Sequence, residues 1–291
     1  MAERIIPIQI EQEETHDENV IRLSEPMEQL VIEQGPVPVQ IQEDEIEEND
    51  DVEKYFKEFD LFEGRNEYSL ISANVPEKII LIIDRAQDEK CTPFLTEKSK
   101  FSPLSMLRRI VKLFLKLKHM INADHEFALM VLNENDSSWQ CDFTRDPKKL
   151  NYNIDRIKQC DVEDSFSLNS LFTEISNHVQ LPDFDNQLPP RYIIRPIILY
   201  GRSYTIPALE SNAEISKLLN NPYFVVDTLF THEPVDRSNN CNKISECLQK
   251  IDQKGLSYFL PVGRDTSRLH KSMAKLLGHP LQRPVQKLQK I

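Results

Sequence analysis

One short stretch decides the fold of this chain: Lys78-Ile79-Ile80-Leu81-Ile82-Ile83-Asp84. Its five consecutive aliphatic residues leave no polar face, and Pro76 and a polar loop bound the stretch on either side. A strand that is apolar on both faces is typical of a parallel sheet covered by helices on both sides. The stretch therefore predicts a buried strand of a parallel sheet.

Helices and apolar strands alternate along the chain that follows. Ser102-Pro103 offers an N-cap and a first-turn proline to a long amphipathic helix. Ser138 to Thr144 alternates apolar and polar residues, which suits an edge strand. Further strands are expected at 126–133, 195–200, 223–230 and 256–262, and further helices from Asp146-Pro147 and at 168–179, 213–219, 243–251 and 267–277. This alternation predicts an α/β domain over residues 76–263 with a doubly wound, mainly parallel sheet.

The net charge of −12 is concentrated at one end of the 291 residues. Residues 1–54 hold 17 of the 47 acidic residues but three of the 35 Lys and Arg, so the remainder is almost neutral. We expect residues 1–75 to be an acidic, mostly disordered tail. Within it, the alternating stretch 37–42 is either an edge strand for a partner or a solvated linker. Because no concentrated basic face is evident, nucleic-acid binding is not expected.

Several classes of protein are excluded by composition and motif. Six scattered glycines provide no Rossmann, P-loop, kinase or nucleophile-elbow motif, each of which needs glycine at fixed spacing. Five cysteines without a C-x-x-C pair and seven histidines without an H-E-x-x-H frame indicate neither a zinc module nor a disulfide scaffold. No apolar run has the length of a signal peptide or a membrane span. We expect a soluble, intracellular protein without catalytic activity, cofactor or membrane contact.

A degenerate metal motif follows the decisive strand. The last residue of the strand and the four that follow, Asp84-Arg85-Ala86-Gln87-Asp88, resemble the D-x-S-x-S metal motif of the von Willebrand factor A fold. Ala86 and Asp88 replace the two serines of that motif. Arg202 stands where that family has an acidic ligand, and Ser165 or Ser167 is the candidate for its threonine. Alanine offers no oxygen to a hard cation. The motif favours a structural remnant without metal, while weak binding by Asp84 and Asp88 through water is the alternative.

A basic C-terminal region, residues 264–291, begins with a predicted helix. Gly278 and Pro280 end that helix, and Pro280-Leu281-Gln282-Arg283-Pro284 follows. The two prolines favour an extended, polyproline-type segment that docks in a groove of a partner. We expect Pro280, Leu281, Arg283 and Pro284 to be the partner-binding residues; the alternative is a frayed end.

Five sequence blocks together resemble a known family. They start at Pro76, His125, Leu188, Asn221 and Met273, and the last is Met273-Ala274-Lys275-Leu276-Leu277-Gly278-His279-Pro280-Leu281-Gln282-Arg283-Pro284. In this order they are similar to the von Willebrand factor A-like adaptor subunits of the BRISC and BRCA-A deubiquitinase complexes. The resemblance covers residues 76–286.

The resemblance implies a non-catalytic scaffold or adaptor subunit. Members of this family bind the complex's ubiquitin-conjugating-like subunit and, through it, the metalloprotease and its scaffold partner. That metalloprotease cleaves ubiquitin chains of the lysine-63 type in DNA-damage and cytokine signalling, which implies cytoplasm and nucleus as locations. A tankyrase-binding motif is not evident. The alternative is a metal-dependent A-domain receptor that binds a protein ligand or ubiquitin directly.

Overall fold

The structure, a computed structural model, describes residues 62–63, 74–96, 99–182 and 189–286. The predicted acidic tail therefore lies outside the described residues except for its last two positions and the backbone of Phe62–Glu63. The alternating stretch 37–42 and residues 183–188 lie outside them as well.

A six-stranded sheet forms the centre of the domain. Its strands, in chain order, are β1 (Glu77–Asp84), β2 (Glu126–Leu132), β3 (Ser137–Thr144), β4 (Ile193–Tyr200), β5 (Asp227–Thr231) and β6 (Phe259–Val262). They lie side by side in the order β6-β5-β4-β1-β2-β3, and all pairs are parallel except β2 with the edge strand β3. The predicted doubly wound, mainly parallel sheet is confirmed, and its strand order is that of the doubly wound nucleotide-binding folds.

Helices cover both faces of this sheet. They are α1 (Pro103–Ile121), α2 (Pro147–Arg156), α3 (Leu168–His178), α4 (Ala213–Asn220), α5 (Cys241–Gln249) and α6 (Thr266–Lys275). Ile79, Leu81 and Ile83 of β1 pack in the core under α1, α2 and α6, whereas Ile80 and Ile82 pack in the core under α3, α4 and α5. All five side chains are fully buried. The aliphatic run is therefore divided between two cores, as a period of two requires.

Local signals start the helices where the sequence predicts. The Ser102 Oγ accepts a hydrogen bond from the Ser105 N–H, and Pro103 is the first residue of α1. Asp146 caps α2 in the same way, again followed by a proline. None of the described helices is long and apolar enough to cross a membrane.

The predicted strand at 223–230 is too long at its start. Residues 223–226 make one bridge to β4, in which the Ile194 N–H donates to the Tyr223 carbonyl and the Val225 N–H donates to the Ile194 carbonyl. Continuous pairing begins at Asp227. Residues 223–226 lie outside the continuous hydrogen-bonded ladder but are buried because they cover the amino end of the sheet. Hydrophobicity alone therefore predicts a start of β5 that is too early.

The C-terminal region belongs to the same body as the sheet. Leu269, Met273 and Leu276 of α6 and its end lie in the core beneath α1, and the described residues between 74 and 286 form one compact unit. Val285–Gln286 pairs with Phe62–Glu63 in a two-residue antiparallel ladder. The Gln286 side-chain amide exchanges two hydrogen bonds of 2.8 Å with the backbone of Phe259, which covers part of the outer edge of β6.

Candidate functional site

Three chain segments meet at the carboxyl edge of the sheet, where ligands bind in folds of this class. Asp84 ends β1, Asn133 follows β2, and Gly201-Arg202 follows β4. Neighbouring parallel strands bring these segments together, although the sequence separates Asp84 from Arg202 by 118 positions. This is the position of the degenerate metal motif.

The Arg202 guanidinium fills the centre of this site. Its Nε lies 3.2 and 3.1 Å from the two carboxylate oxygens of Asp84, and its Nη2 lies 3.1 Å from Asp84 Oδ1. The Nη1 and Nη2 groups also donate to the backbone carbonyls of Glu134 and Asn133. Arg202 is completely buried, with its Cζ 4.5 Å from the centre of the Phe166 ring. One side chain thus supplies the positive charge that faces Asp84 and joins three loops.

The remaining lone pairs of Asp84 are also used. The Ala86 N–H donates to Asp84 Oδ1 at 3.1 Å, and the Gly201 N–H donates to Asp84 Oδ2 at 3.0 Å. Burial by itself lowers the pKa of Arg202, but the Asp84 carboxylate outweighs this effect and raises that pKa. The Arg202 guanidinium is therefore charged at every physiological pH, and both oxygens of Asp84 accept hydrogen bonds from it and from backbone N–H groups.

These residues do not fit a divalent cation. Ala86 presents no side-chain oxygen, and Arg202 occupies the face of Asp84 that a cation would need. The Ser167 Oγ accepts the Ser170 N–H at the start of α3, and Ser165 is exposed. Among the residues that the structure describes, no group of three or more His, Cys, Asp or Glu side chains is placed to hold a metal.

Asp88 is the second acidic residue of the motif and is stabilised differently. Its Oδ2 accepts the Ser203 N–H at 2.7 Å, while its Oδ1 is buried without a partner among the described residues. Burial, with a smaller contribution from the charge of Asp84, raises the pKa of the Asp88 carboxyl to about 6. Asp88 therefore fixes the loop after β4, but its carboxylate is poorly solvated when it is ionised.

The predicted partner-binding segment folds back onto its own domain. The Gln282 and Arg283 N–H groups both donate to the His279 carbonyl at 2.9 Å, which makes residues 279–283 a turn rather than the expected extended segment. Pro280, Leu281 and Arg283 are buried, and Pro284 is exposed. Leu281 packs with Ile193 and Tyr223. Of the four predicted partner-binding side chains, Leu281 and Arg283 contact their own domain in this turn, and Pro284 faces solvent.

Arg283 ends in a buried ion pair. Its Nη1 and Nη2 lie 2.8 and 2.5 Å from the two carboxylate oxygens of Asp227, and its Cζ lies 3.7 Å from the centre of the Tyr258 ring. Asp227 also accepts the Arg195 Nε at 2.8 Å and the Tyr258 N–H at 2.7 Å. Burial raises the pKa of the Asp227 carboxyl, but the charges of Arg283 and Arg195 outweigh burial and lower it overall. This bidentate contact anchors the C-terminal segment at the amino edge of the sheet.

The amino-edge network extends from Arg195 to α1. The Arg195 Nη1 lies 2.8 Å from Glu77 Oε2, and the Lys118 Nζ lies 2.5 Å from Glu77 Oε1. The Lys118 Nζ also donates to the Leu277 carbonyl at 3.0 Å. Burial lowers the pKa of Lys118 to about 8 even though Glu77 opposes the shift. The network therefore joins α1, the sheet and the end of α6.

Two neutral histidines complete this edge. The His125 Nδ1 accepts the Glu77 N–H at 2.9 Å, and burial lowers its pKa to about 4. The His279 Nδ1 accepts the Leu281 N–H, so its Nε2–H donates to the Val75 carbonyl at 3.1 Å. Burial lowers the pKa of His279 as well. Each imidazole serves as a neutral structural bridge.

Sequence reasoning missed most of the amino-edge network. Its signal was present, because Arg195 interrupts an apolar strand and because Glu77 and Asp227 are charged residues at the start of buried strands. Burial raises the pKa of the thiols of Cys91 and Cys160 to about 11, which makes them poor nucleophiles. Trp139 of β3 stacks on His178 at 4.3 Å between ring centres.

The chain has relatives among characterised proteins, although no family model matches it. It is 35% identical over 221 residues to BRISC and BRCA1-A complex member 1 of Xenopus laevis, a match that covers 73% of this chain and 66% of that protein. The protein of the same name from Xenopus tropicalis is 34% identical, with 73% and 68% covered. The human protein of that name is 32% identical over 222 residues, with 73% and 67% covered.

Solved structures of related shape have little sequence in common with it. The SpRpn10 VWA domain superposes with a TM-score of 0.42 at 12% identity, covering 72% of this chain and all of that domain. The PilB minor pilin of Streptococcus sanguinis gives 0.48 at 10% identity, covering 73% and 63%. These scores add nothing to the architecture described above. The sequence matches show that the chain belongs to the family of BRISC and BRCA1-A complex member 1.

Proposed function

We propose that this protein is a non-catalytic scaffold or adaptor subunit of a ubiquitin-chain-cleaving metalloprotease complex. The observation that carries the proposal is the closed carboxyl edge. In a fold that binds ligands at this edge, the Asp84 carboxylate is fully occupied by Arg202 and two backbone N–H groups. Asp84 is therefore not available to hold a cation or to activate a water molecule. What such a domain still offers is its surface.

The relatives support the complex. Each is named as a member of the BRISC and BRCA1-A complexes, which indicates a subunit of an assembly. We propose further that the direct partner is the ubiquitin-conjugating-like subunit and that the assembled metalloprotease cleaves lysine-63-type chains. In this proposal the protein acts in both cytoplasm and nucleus.

The C-terminal turn is our candidate for the partner contact. Because Pro280, Leu281 and Arg283 are turned inward, the contact would be made by the surface that they shape, which includes the exposed Gln282 and Pro284. Arg283 then contributes by positioning and not by entering a partner's groove. This replaces the extended peptide expected from the sequence with a preformed turn, which lowers the entropy cost of binding.

Co-purification tests this function. The full chain, co-expressed with the ubiquitin-conjugating-like subunit, should form a stoichiometric complex, while the isolated chain should cleave no lysine-63-linked ubiquitin. Pro284→Ala and Gln282→Ala should weaken the complex without lowering the melting temperature. The matched control is Arg145→Ala, because Arg145 is exposed and follows β3, at the edge of the sheet opposite β6. Cleavage of ubiquitin chains by the purified protein would contradict the proposed function. A complex that neither turn variant weakens would contradict the proposed contact surface.

A metal-dependent receptor function has no observation in its favour. It would need a cation on Asp84, where the guanidinium of Arg202 lies. The same argument applies to direct, metal-mediated binding of ubiquitin. Titration with Mn²⁺ separates this function from that of a scaffold.

A further inference from the structure

A second feature of the carboxyl edge is an open cavity beside the Asp84–Arg202 pair. It has a volume of about 410 Å³ and lies between the ends of β1 and β2, the strand β3 and the end of α2. Asn133 belongs to both places, since its carbonyl accepts from Arg202 and its Oδ1 accepts the Arg85 Nε at 2.8 Å. The cavity has the size of an ordinary ligand pocket. We call it the basic cavity.

Three cations line the basic cavity without a carboxylate among its lining residues: Arg85, Arg156 and Lys158. Within the described chain none of them forms an ion pair with Asp or Glu. Asp155, the acidic neighbour of Arg156, pairs instead with Lys112. Like charges that share one cavity repel each other, and an anion in the cavity removes that cost.

Hydrogen-bond donors remain available in this cavity. Arg85 has five N–H groups and uses two, one for Asn133 and one for the Lys158 carbonyl at 3.3 Å. The Ser138 Oγ accepts from Asn133 and Gln140, which leaves its hydroxyl hydrogen free to donate. Lys158 is exposed at the rim. These donors come from three elements and converge on one space.

The cavity is also preorganised. The Cys160 N–H donates to the Arg85 carbonyl at 3.1 Å, and the Gln87 N–H donates to the Cys160 carbonyl at 3.2 Å, so the segment that carries Lys158 is fixed beside Arg85. The carbonyls of Asp155 and Ile157 at the end of α2 would repel an anion, but both accept hydrogen bonds from Arg108. Their negative ends are therefore neutralised before any ligand arrives.

We propose that the basic cavity binds a phosphorylated serine or threonine side chain of a partner protein. A phosphoryl group carries nearly two negative charges and three acceptor oxygens, which match an Arg fork, a lysine and a hydroxyl better than a single carboxylate does. A volume of about 410 Å³ exceeds the needs of a phosphoryl group alone and leaves room for the side chain that presents it. The half-buried Asn153 and the exposed Gln140, which also line the cavity, would contact the adjacent peptide backbone.

Binding of a minimal phosphopeptide to the full chain tests this proposal. We would use fluorescence anisotropy in 150 mM salt with a labelled Gly-Gly-pSer-Gly-Gly peptide, its unphosphorylated form, and inorganic phosphate as competitor. The phosphopeptide should bind at least about tenfold more tightly than the unphosphorylated peptide and than inorganic phosphate, because charge and peptide contacts both contribute. Amide signals of Asn133, Ser138 and Lys158 should shift on binding in NMR spectra.

Variants localise the binding. Lys158→Gln removes a cation that holds no other side chain, so it should weaken phosphopeptide binding about fivefold to tenfold without changing the melting temperature. Adding Arg156→Gln should weaken it further. Lys148→Gln, an equal loss of charge on an exposed lysine of α2 outside the cavity, is the matched control and should change the affinity less than twofold.

Three results would overturn the proposal. The first is equal affinity for the phosphorylated and unphosphorylated peptides. The second is an equal loss in the Lys158→Gln and Lys148→Gln variants, which would indicate general attraction by positive charge. The third is inorganic phosphate that binds as tightly as the phosphopeptide, which would indicate a site for a small anion instead of a partner protein.

Discussion

The two edges of the sheet each bury an aspartate with arginine, but they close in different ways. At the carboxyl edge, Asp84 is satisfied by Arg202 and two backbone N–H groups, all from loops beside the same strands. At the amino edge, Asp227 is shared by Arg195 of the neighbouring strand and Arg283 of the C-terminal turn. The first site is complete among the loops that follow the strands of the sheet. The second is completed by a segment that arrives 56 residues later in the chain.

This difference separates two uses of buried charge. A buried ion pair contributes little net stability when it is intact, whereas removing one partner is costly because the other charge is left without compensation. At the carboxyl edge the pair replaces a ligand and closes a site. At the amino edge it makes the position of the C-terminal turn part of the domain's stability. Variants on the two edges should therefore behave differently.

The largest effect is expected from Asp227→Ala. It leaves Arg195 and Arg283 buried without their shared carboxylate and removes the acceptor of the Tyr258 N–H. The free energy of unfolding should fall by about 3–5 kcal/mol. Urea unfolding followed by circular dichroism measures it, with the exposed Asp124→Ala as control. A loss below about 1 kcal/mol would mean that the network adds no constraint.

Arg283→Ala should have an intermediate effect. Asp227 keeps Arg195 and the Tyr258 N–H, but the bidentate contact and the packing on the Tyr258 ring are lost. We expect a loss of about 2–3 kcal/mol, and a larger loss when the chain is truncated after Gly278, since Leu281 is removed too. Thermal melting distinguishes the two interpretations of this segment. An unchanged melting temperature after truncation would restore the frayed-end alternative.

The smallest effect is a gain of stability from Asp88→Asn. The raised pKa of about 6 means that the folded state holds a proton on Asp88 more firmly than the unfolded chain does. The protonated Asp88 therefore stabilises the native state below the unfolded pKa of 3.8, and this stabilisation is lost as the pH rises through about 6. At neutral pH the ionised, buried carboxylate destabilises the native state.

Asp88→Asn should therefore stabilise the protein by about 1–2 kcal/mol at pH 7.5. The gain should shrink as the pH is lowered towards 5, where the native carboxyl is already neutral. Melting temperatures of both proteins between pH 5 and 7.5 give the comparison. A gain that does not vary with pH would show that Asp88 is not the titrating group.

Periodicity and capping signals in the sequence were sufficient for the sheet and its helices. The aliphatic run at 79–83, the Ser102-Pro103 start and the alternation at 138–144 each correspond to an observed element. The strand boundary at 223 was wrong because burial at the end of a sheet looks like burial within it. Local pattern determines the type of an element better than it determines its end.

The sites were predictable only in part. Ala86 and Arg202 already indicated a lost metal motif, because their chemistry is visible at their positions in the sequence. That Arg202 itself fills the site, and that Arg283 pairs with Asp227, depends on contacts over 118 and 56 positions. The prolines at 280 and 284 suggested an extended peptide, whereas the hydrogen bonds to the His279 carbonyl make a turn. A charged residue in a buried strand indicates that a partner exists, but the sequence does not identify which distant residue that partner is.

Titration with Mn²⁺ tests the central claim, that the Arg202 guanidinium occupies the position of a cation and leaves a surface for assembly. Isothermal calorimetry on the wild type should detect no binding tighter than millimolar. Arg202→Ala should lose about 2–4 kcal/mol of stability, and Mn²⁺ should restore part of it, because Asp84 then lacks its cation; in Asp84→Ala/Arg202→Ala, Mn²⁺ should restore none. Micromolar binding by the wild type that Asp84→Ala abolishes would contradict the account and favour a metal-dependent receptor.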